Sequence, residues 1–566
     1  VSPTAPTPSP EEPTWRRDLV LLAFLFGALF AWGLGRAPLV NPDEGRYAEI
    51  PREMIATGDW VTPRLDGVPY FEKPPLMYWA VAACEKFLGP GEWSVRLAPA
   101  LFAVAGILMA YSAARRVYGR DAGFWTAVVL GTSLLYVAFV HLLGLDMAVS
   151  VLMGGALFCF IAALREPPGA RRRWLFYGLY ACAALATLTK GLIGFLIPGA
   201  VMFLWLLLLG QWRRLRPLYL PSGIVLFAVI AVPWHVLVSQ RNPEWARFYF
   251  IHEHLERYSD KGHGRYQPFW WFIPILALGL FPWTGFAWPA FREGLAGGWA
   301  RRRENAEAWF FAIWAGFIFL FFSCSRSKLI PYILPVFPPV AVLVGRWIAV
   351  TVALPDAFGR MKVGLRTFGF LCGLLAAALC VAVLRPGLIR DPSSAEALRP
   401  FAFIIAAILC VGGMRALIPR AGPASGRGAV TALTATLVLL IGFLILAMPI
   451  IDTRSTKDLA VAARGYLRPG DRIYHYHGFF HDFTYYSGAE VGLVSYTDEL
   501  ELQFLDPAGR KERFIDDARF RAEWAGPGRV FAVARKRDVG ELFADPDFHY
   551  HVLVAGQHHY LFSNQP

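Results

Sequence analysis

The chain has 566 residues, 56% of them hydrophobic and 17% charged, with a mean hydropathy of +0.42. Apolar blocks of about 20 residues recur from residue 19 to residue 449, which disfavours a soluble protein and marks a polytopic all-α membrane protein. Its net charge of +13 sits in the connections between those blocks, so anionic membrane lipid, and no nucleic acid, is the partner the charge implies.

The Pro-rich opening "VSPTAPTPSPEEPT" reads as part of a disordered cytoplasmic tail over 1–17, and 19–34 as a retained first helix. Blocks centred near Phe26, Val104, Ala127, Met153, Ala183, Phe203, Ala228, Ala277, Phe317, Ala341, Leu375, Ile408 and Leu440 give about thirteen spans within 18–450. All seven cysteines lie in or beside these blocks without CxxC spacing, as small buried hydrophobes do. Arginine clusters precede the first span and then follow every second one, among them "RRR" at 171–173 and again at 301–303. By the positive-inside rule these face the cytoplasm. The loops 37–93 and 241–267, the neighbourhoods of Asp146, Lys190 and 326–328, and the tail after 450 then share the opposite face.

That face collects the unusual polar groups. "NPDEGRYAEIPREMI" carries Asp43, Glu44, Arg46 and Tyr47 at the spacing of a short amphipathic helix, with Asp43 placed to cap it. On periodicity alone its charges are solvated at an interface. Further on, "GVPYFEKPPLMYW" sets Tyr70, Glu72 and Lys73 before an aromatic segment at the membrane surface. Asp146 opens an apolar span, where an ionisable group caps the helix, pairs, or faces a wet cavity. Lys190, Arg326 and Lys328 occupy tight turns against the positive-inside trend, and an anionic ligand would explain them. The 241–267 loop adds His252, His254 and Arg257.

Beyond residue 450 the long apolar runs end, and 451–566 reads as a small α/β domain. "LAVAARGYL" and "RKERFIDDARFRAEWA" have helical spacing, while "DRIYHYHGF", "EVGLVSYT", "GRVFAVAR" and "YHVLVAGQHHYLF" have strand character. The histidine pairs His475/His477 and His549/His551 read as polar sheet surface. No repeat, GxGxxG or P-loop is present, so nucleotide-driven transport is unsupported.

The motifs "NPDEGRYAEIPREMIATGDWVTPRLDGVPYFEKPPLMYW", "LTKGLIG" and "SRSKLIPYILPVFPP" together resemble the polyprenyl-phosphate-dependent membrane glycosyltransferases of the GT-C superfamily, related to protein O-mannosyltransferases. The resemblance is greatest to the lipid A aminoarabinose transferases. It implies transfer of 4-amino-4-deoxy-L-arabinose from undecaprenyl phosphate to a lipid A phosphate, by a monomer in the bacterial inner membrane whose site and C-terminal domain face the periplasm. Asp43 then takes the catalytic acid position, with Glu44 its neighbour and Asp146 the second acid. Lys73, Arg257, Tyr332 and Tyr70 hold the donor phosphate, and Arg46, Tyr47, Lys190, Arg326 and Lys328 are further substrate contacts. No cofactor is required. Glu72 with His252 or His254 is a candidate structural site for a divalent metal such as zinc. Two alternatives stay open: a related transferase acting on protein hydroxyls or another glycan, and a non-catalytic lipid-sugar flippase or transporter.

Overall fold

The computed structural model describes residues 14–249, 266–385, 388, 392–418, 425–451, 454–497, 500–505 and 507–566. Among these, eight helices are long and apolar enough to cross a membrane, and two bent pairs raise the number to ten if each counts as one span. The remaining expected centres fall on Thr14–Ala31 and Ala170–Lys190, which carry charges at their ends, and on Ile193–Leu209, which has 17 residues. Each centre read from the sequence therefore lies in a helix. Length and apolarity by themselves support eight to ten spans, not thirteen. The tail expectation for 1–17 falls mostly on residues 1–13, outside the described residues, and the first helix begins at Thr14.

The bent pairs are Arg120–Gly131 with Leu134–Val140, at 64°, and Phe269–Gly279 with Thr284–Gly294, at 104°. At the first break Thr132 and Ser133 turn their hydroxyls back onto the carbonyls of Val128 and Val129, which competes with helix continuation. The two breaks touch: Trp283 donates to the Thr132 hydroxyl at 3.0 Å and Leu134 to the Phe281 carbonyl at 3.1 Å. Asp146–Ala163 forms the buried centre of the bundle, with 89% of its apolar window covered, against 22% for Ala357–Leu384. Its glycines permit close approach, since a Cβ on Gly155 would lie 2.9 Å from Met109 Sδ.

Between the first span and Glu92–Tyr118 lie two helices, Asp43–Thr57 and Leu76–Leu88, and a hairpin pairing Arg64–Leu65 with Val68–Pro69. The hairpin turns through Asp66 and Gly67, both at positive φ, a pairing that suits a two-residue turn. Gly58, at φ 71°, closes the Asp43–Thr57 helix in the left-handed conformation.

After the Ser425–Ile451 helix the chain builds a six-stranded sheet in the order Phe514–Ile515, Gly492–Val494, Arg472–Tyr476, Val530–Arg535, His559–Ser563, His551–Ala555. The first four strands are parallel and the last two antiparallel additions. The stretch expected as one helix from "RKERFIDDARFRAEWA" is broken by the edge strand Phe514–Ile515, after which Asp516 caps Asp517–Trp524. His475 is buried, not on a polar surface, because it lies in an interior parallel strand whose two faces are both covered. This domain shares an apolar core with the first loop: Leu39, Ile50, Tyr78 and Val81 pack with Phe483, Tyr485, Leu493 and Phe531.

Candidate active site

The Asp43–Thr57 helix is not the solvated interfacial element its periodicity suggests. Glu44, Arg46, Glu49 and Glu53 are all buried, and the helix lies between the bundle and the soluble domain. Burying charges costs several kcal/mol each unless they are paired: Arg46 pairs with Asp43, Glu44 with Arg96 and Glu49 with Arg52, while burial pushes the Glu53 carboxyl up to about 8.

Asp43 is the exception. It begins the helix without acting as a side-chain cap, its carboxylate is 70% exposed, and it accepts a 2.5 Å hydrogen bond from Arg46. Arg46 also lies over the Tyr47 ring, at 5.4 Å, and reaches toward the Tyr70 hydroxyl at 3.5 Å. Burial raises the pKa of the Tyr47 phenol; Arg46 opposes this, and Asp43, Asp146 and Glu72 push it further up. Tyr70 is held protonated by burial and by Glu72, again against Arg46. Lys73 stays beside its neighbour, 3.6 Å from the Glu72 carboxylate and 2.9 Å from the Glu72 carbonyl.

Asp146 begins its helix without capping it and pairs with Lys190, the last residue of Ala170–Lys190. The Lys190 ammonium lies 4.8 Å above the Tyr332 ring. Asp146, Lys190 and Tyr332 line a cavity of about 30 Å³ with Val149, Met153, Phe322, Pro331 and Pro335, room for a water molecule and too little for a sugar.

The other expected site residues fall in several places. Glu44 does not join Asp43: it turns away into a bidentate pair with Arg96 at 2.6 and 2.8 Å, and also accepts from the backbone N–H of Val40 and Leu143. Both Glu44 oxygens are occupied by partners within the protein. Lys328 is buried and donates to the carbonyls of Gln267 and Ser325, holding the entry to the next span. Arg326 is exposed on the same turn. Arg257, His252 and His254 lie outside the described residues. Among the described residues no group of three or more His, Cys, Asp or Glu is placed to hold a metal, and Glu72 faces the ammonium of Lys73.

Arg96 is a residue the sequence reading passed over. Besides Glu44 it donates to the carbonyls of Leu34, Ala37 and Pro38, pinning the exit of the first span. A lone arginine in the first turns of an apolar helix was the available signal.

An exposed carboxylate, a buried guanidinium, tyrosines and lysines gather at the edge of a bundle of apolar helices, and the relatives of this chain are named as glycosyl-transferring enzymes. Residues 72–236 match the family model described as dolichyl-phosphate-mannose-protein mannosyltransferase. An undecaprenyl phosphate-alpha-4-amino-4-deoxy-L-arabinose arabinosyl transferase of Pseudomonas aeruginosa is 33% identical over 461 residues, 79% of each chain. Its namesake in Pectobacterium carotovorum is 33% identical over 374 residues, 65% of this chain and 66% of the relative's length. The crystal structure of ArnT from Cupriavidus metallidurans bound to undecaprenyl phosphate superposes with a TM-score of 0.84 at 30% identity, over 97% of this chain and 98% of that one. The chain belongs to the family of undecaprenyl phosphate-alpha-4-amino-4-deoxy-L-arabinose arabinosyl transferases.

Proposed function

We propose that this chain moves 4-amino-4-deoxy-L-arabinose from undecaprenyl phosphate to a phosphate of lipid A, at the periplasmic face of the bacterial inner membrane. The observation that supports the site assignment is the exposed Asp43 carboxylate held by the buried Arg46 guanidinium, which also lies over Tyr47 and reaches toward Tyr70. The names of the relatives supply the donor and the sugar. The arginine clusters on the other face supply the orientation.

In this reaction the C1–O bond of the donor breaks, its electron pair leaving on the undecaprenyl phosphate oxygen, while an oxygen of the lipid A phosphate forms the new bond to C1. The acceptor is already an anion, so no strong base is needed. Positive charge grows on C1 and the ring oxygen, and a carboxylate nearby stabilises it more in the transition state than in the ground state. Asp43, aimed outward by Arg46, is that group. Lys73 and Tyr332, with Arg257, take the charge of the departing phosphate, as charge-assisted hydrogen bonds to phosphate are strong. Asp146 faces the sugar amine once an anionic substrate draws Lys190 away. One chain supplies every assigned residue, which fits a monomer. The product carries an amine where lipid A had bare phosphate charge, and it binds cationic peptides such as polymyxin less well.

Purified protein given the undecaprenyl-linked donor should modify lipid A and leave dephosphorylated lipid A untouched. Equal transfer to the dephosphorylated acceptor, or preferential transfer to protein hydroxyls, would overturn the phosphate-acceptor reading.

A further inference from the structure

Asn41 and Asp482 stand 441 residues apart in the chain and are joined twice. Asn41 Nδ2 donates to Asp482 Oδ1, and the Asp482 N–H donates to Asn41 Oδ1 at 3.1 Å. Asp482 is fully buried, and its carboxylate is gripped from the other side by the Thr456 N–H at 2.7 Å, the Thr456 hydroxyl at 2.6 Å and the Ser455 hydroxyl at 2.8 Å. The same His481–Ser487 helix touches the loop on either side of Asn41: the Tyr486 hydroxyl accepts from the Leu39 N–H at 2.8 Å, and a Cβ on Gly45 would lie 2.5 Å from the Asp482 nitrogen. Residues 39, 41 and 45 are thus held by one element of the soluble domain, and they bracket Asp43.

We propose that Asp482 is a positioning residue for sugar transfer: through Asn41 it fixes the start of the Asp43–Thr57 helix, so the soluble domain sets where Asp43 and Arg46 point. This rests on the reading of Asp43 as the acid of the site. The hydrogen bonds run from a rigid, fully satisfied carboxylate to a residue two positions before that acid, with Gly45 leaving no slack between the two backbones. A misplacement of the order of 1 Å at such a site lowers turnover by roughly 100-fold.

The test uses the full chain in vesicles, with kcat and KM for the undecaprenyl-linked donor measured for Asn41→Ala, Asp43→Asn and the double variant. The expected result is a fall in kcat of at least about tenfold for Asn41→Ala with KM within about twofold, and little further loss when Asp43→Asn is added. Independent, multiplicative losses would show that the clamp does not act through Asp43, and full activity of Asn41→Ala beside an impaired Asp43→Asn would overturn the proposal alone. Full activity of Asp43→Asn would instead sink the underlying reading of the site, and the proposal with it. A second pair guards against misfolding: Asn41→Asp sets carboxylate against carboxylate, and adding Asp482→Asn restores the donor–acceptor match. Recovery of kcat in the exchanged pair is expected; a pair no better than Asn41→Asp contradicts the proposal.

Discussion

The Arg46 guanidinium, 5% exposed, donates at 2.5 Å to an Asp43 carboxylate that is 70% exposed. A buried cation beneath an outward-facing acid fixes the direction of the acid without hiding it. Asp43→Asn should therefore fold normally and lose transfer by about 100-fold or more, the scale of removing one preorganised electrostatic contact. Arg46→Lys should cost about tenfold, because an ammonium cannot reach Asp43, stay over the Tyr47 ring and approach Tyr70 at once. Parallel measurement of melting temperature and initial rate separates the two effects.

Glu44 is adjacent in sequence and faces inward, where Asp43 faces outward. Removing one partner of its buried pair with Arg96 leaves an uncompensated charge, a loss of about 3 to 5 kcal/mol. Glu44→Ala should lower the yield of folded, detergent-stable protein, and the fraction that does fold should retain a near-normal kcat. A well-folded but inactive Glu44→Ala would return this residue to the catalytic set.

Asp146 and Lys190 form an ion pair that, on the proposed reading, serves both stability and substrate. Lys190→Ala alone strands a carboxylate in a small cavity, and Asp146→Asn alone strands the ammonium. The double variant should regain most of the melting temperature lost by either single change while transfer stays at the level of Asp146→Asn. Recovery of both together would assign the pair a purely structural role.

Glu85 couples the first loop to the soluble domain through a 2.7 Å hydrogen bond from Tyr485, and burial pushes its carboxyl up to about 7 from an ordinary 4.5. Glu53, deeper in the same interface, is shifted the same way, by burial and then by Glu49. An acid that binds its proton more tightly when folded loses stability as the pH rises, because the unfolded chain ionises first. For Glu85 that loss runs from about pH 4.5 to about pH 7. Glu85→Gln keeps an acceptor for Tyr485, so its melting temperature relative to wild type should climb through this window and then level off. A constant difference between pH 4.5 and pH 8 would contradict it.

Much of the bundle was legible because a span must be apolar over its length, and each expected centre lies in a helix. The crowding of charge at 41–60 also marked a helix, Asp43–Thr57, that packs against the C-terminal domain. What periodicity could not do was separate Asp43 from Glu44. Neighbours on a helix point about 100° apart, and only Arg96, on another element, decides which faces inward. The place of Lys328 in a turn is visible in the sequence, whereas the carbonyls of Gln267 and Ser325 that it donates to are not. The Asn41–Asp482 clamp joins the two ends of the chain, and nothing local to either residue announces it.

The most direct test of the account is transfer of aminoarabinose to lipid A in cells lacking their own transferase, read by mass spectrometry for wild type and Asp43→Ala at matched membrane expression. The account predicts a lipid A species heavier by one aminoarabinose in wild type and its absence in the variant. No mass gain from well-expressed wild type would contradict the substrate assignment, and a gain that survives Asp43→Ala would contradict the placement of the catalytic acid.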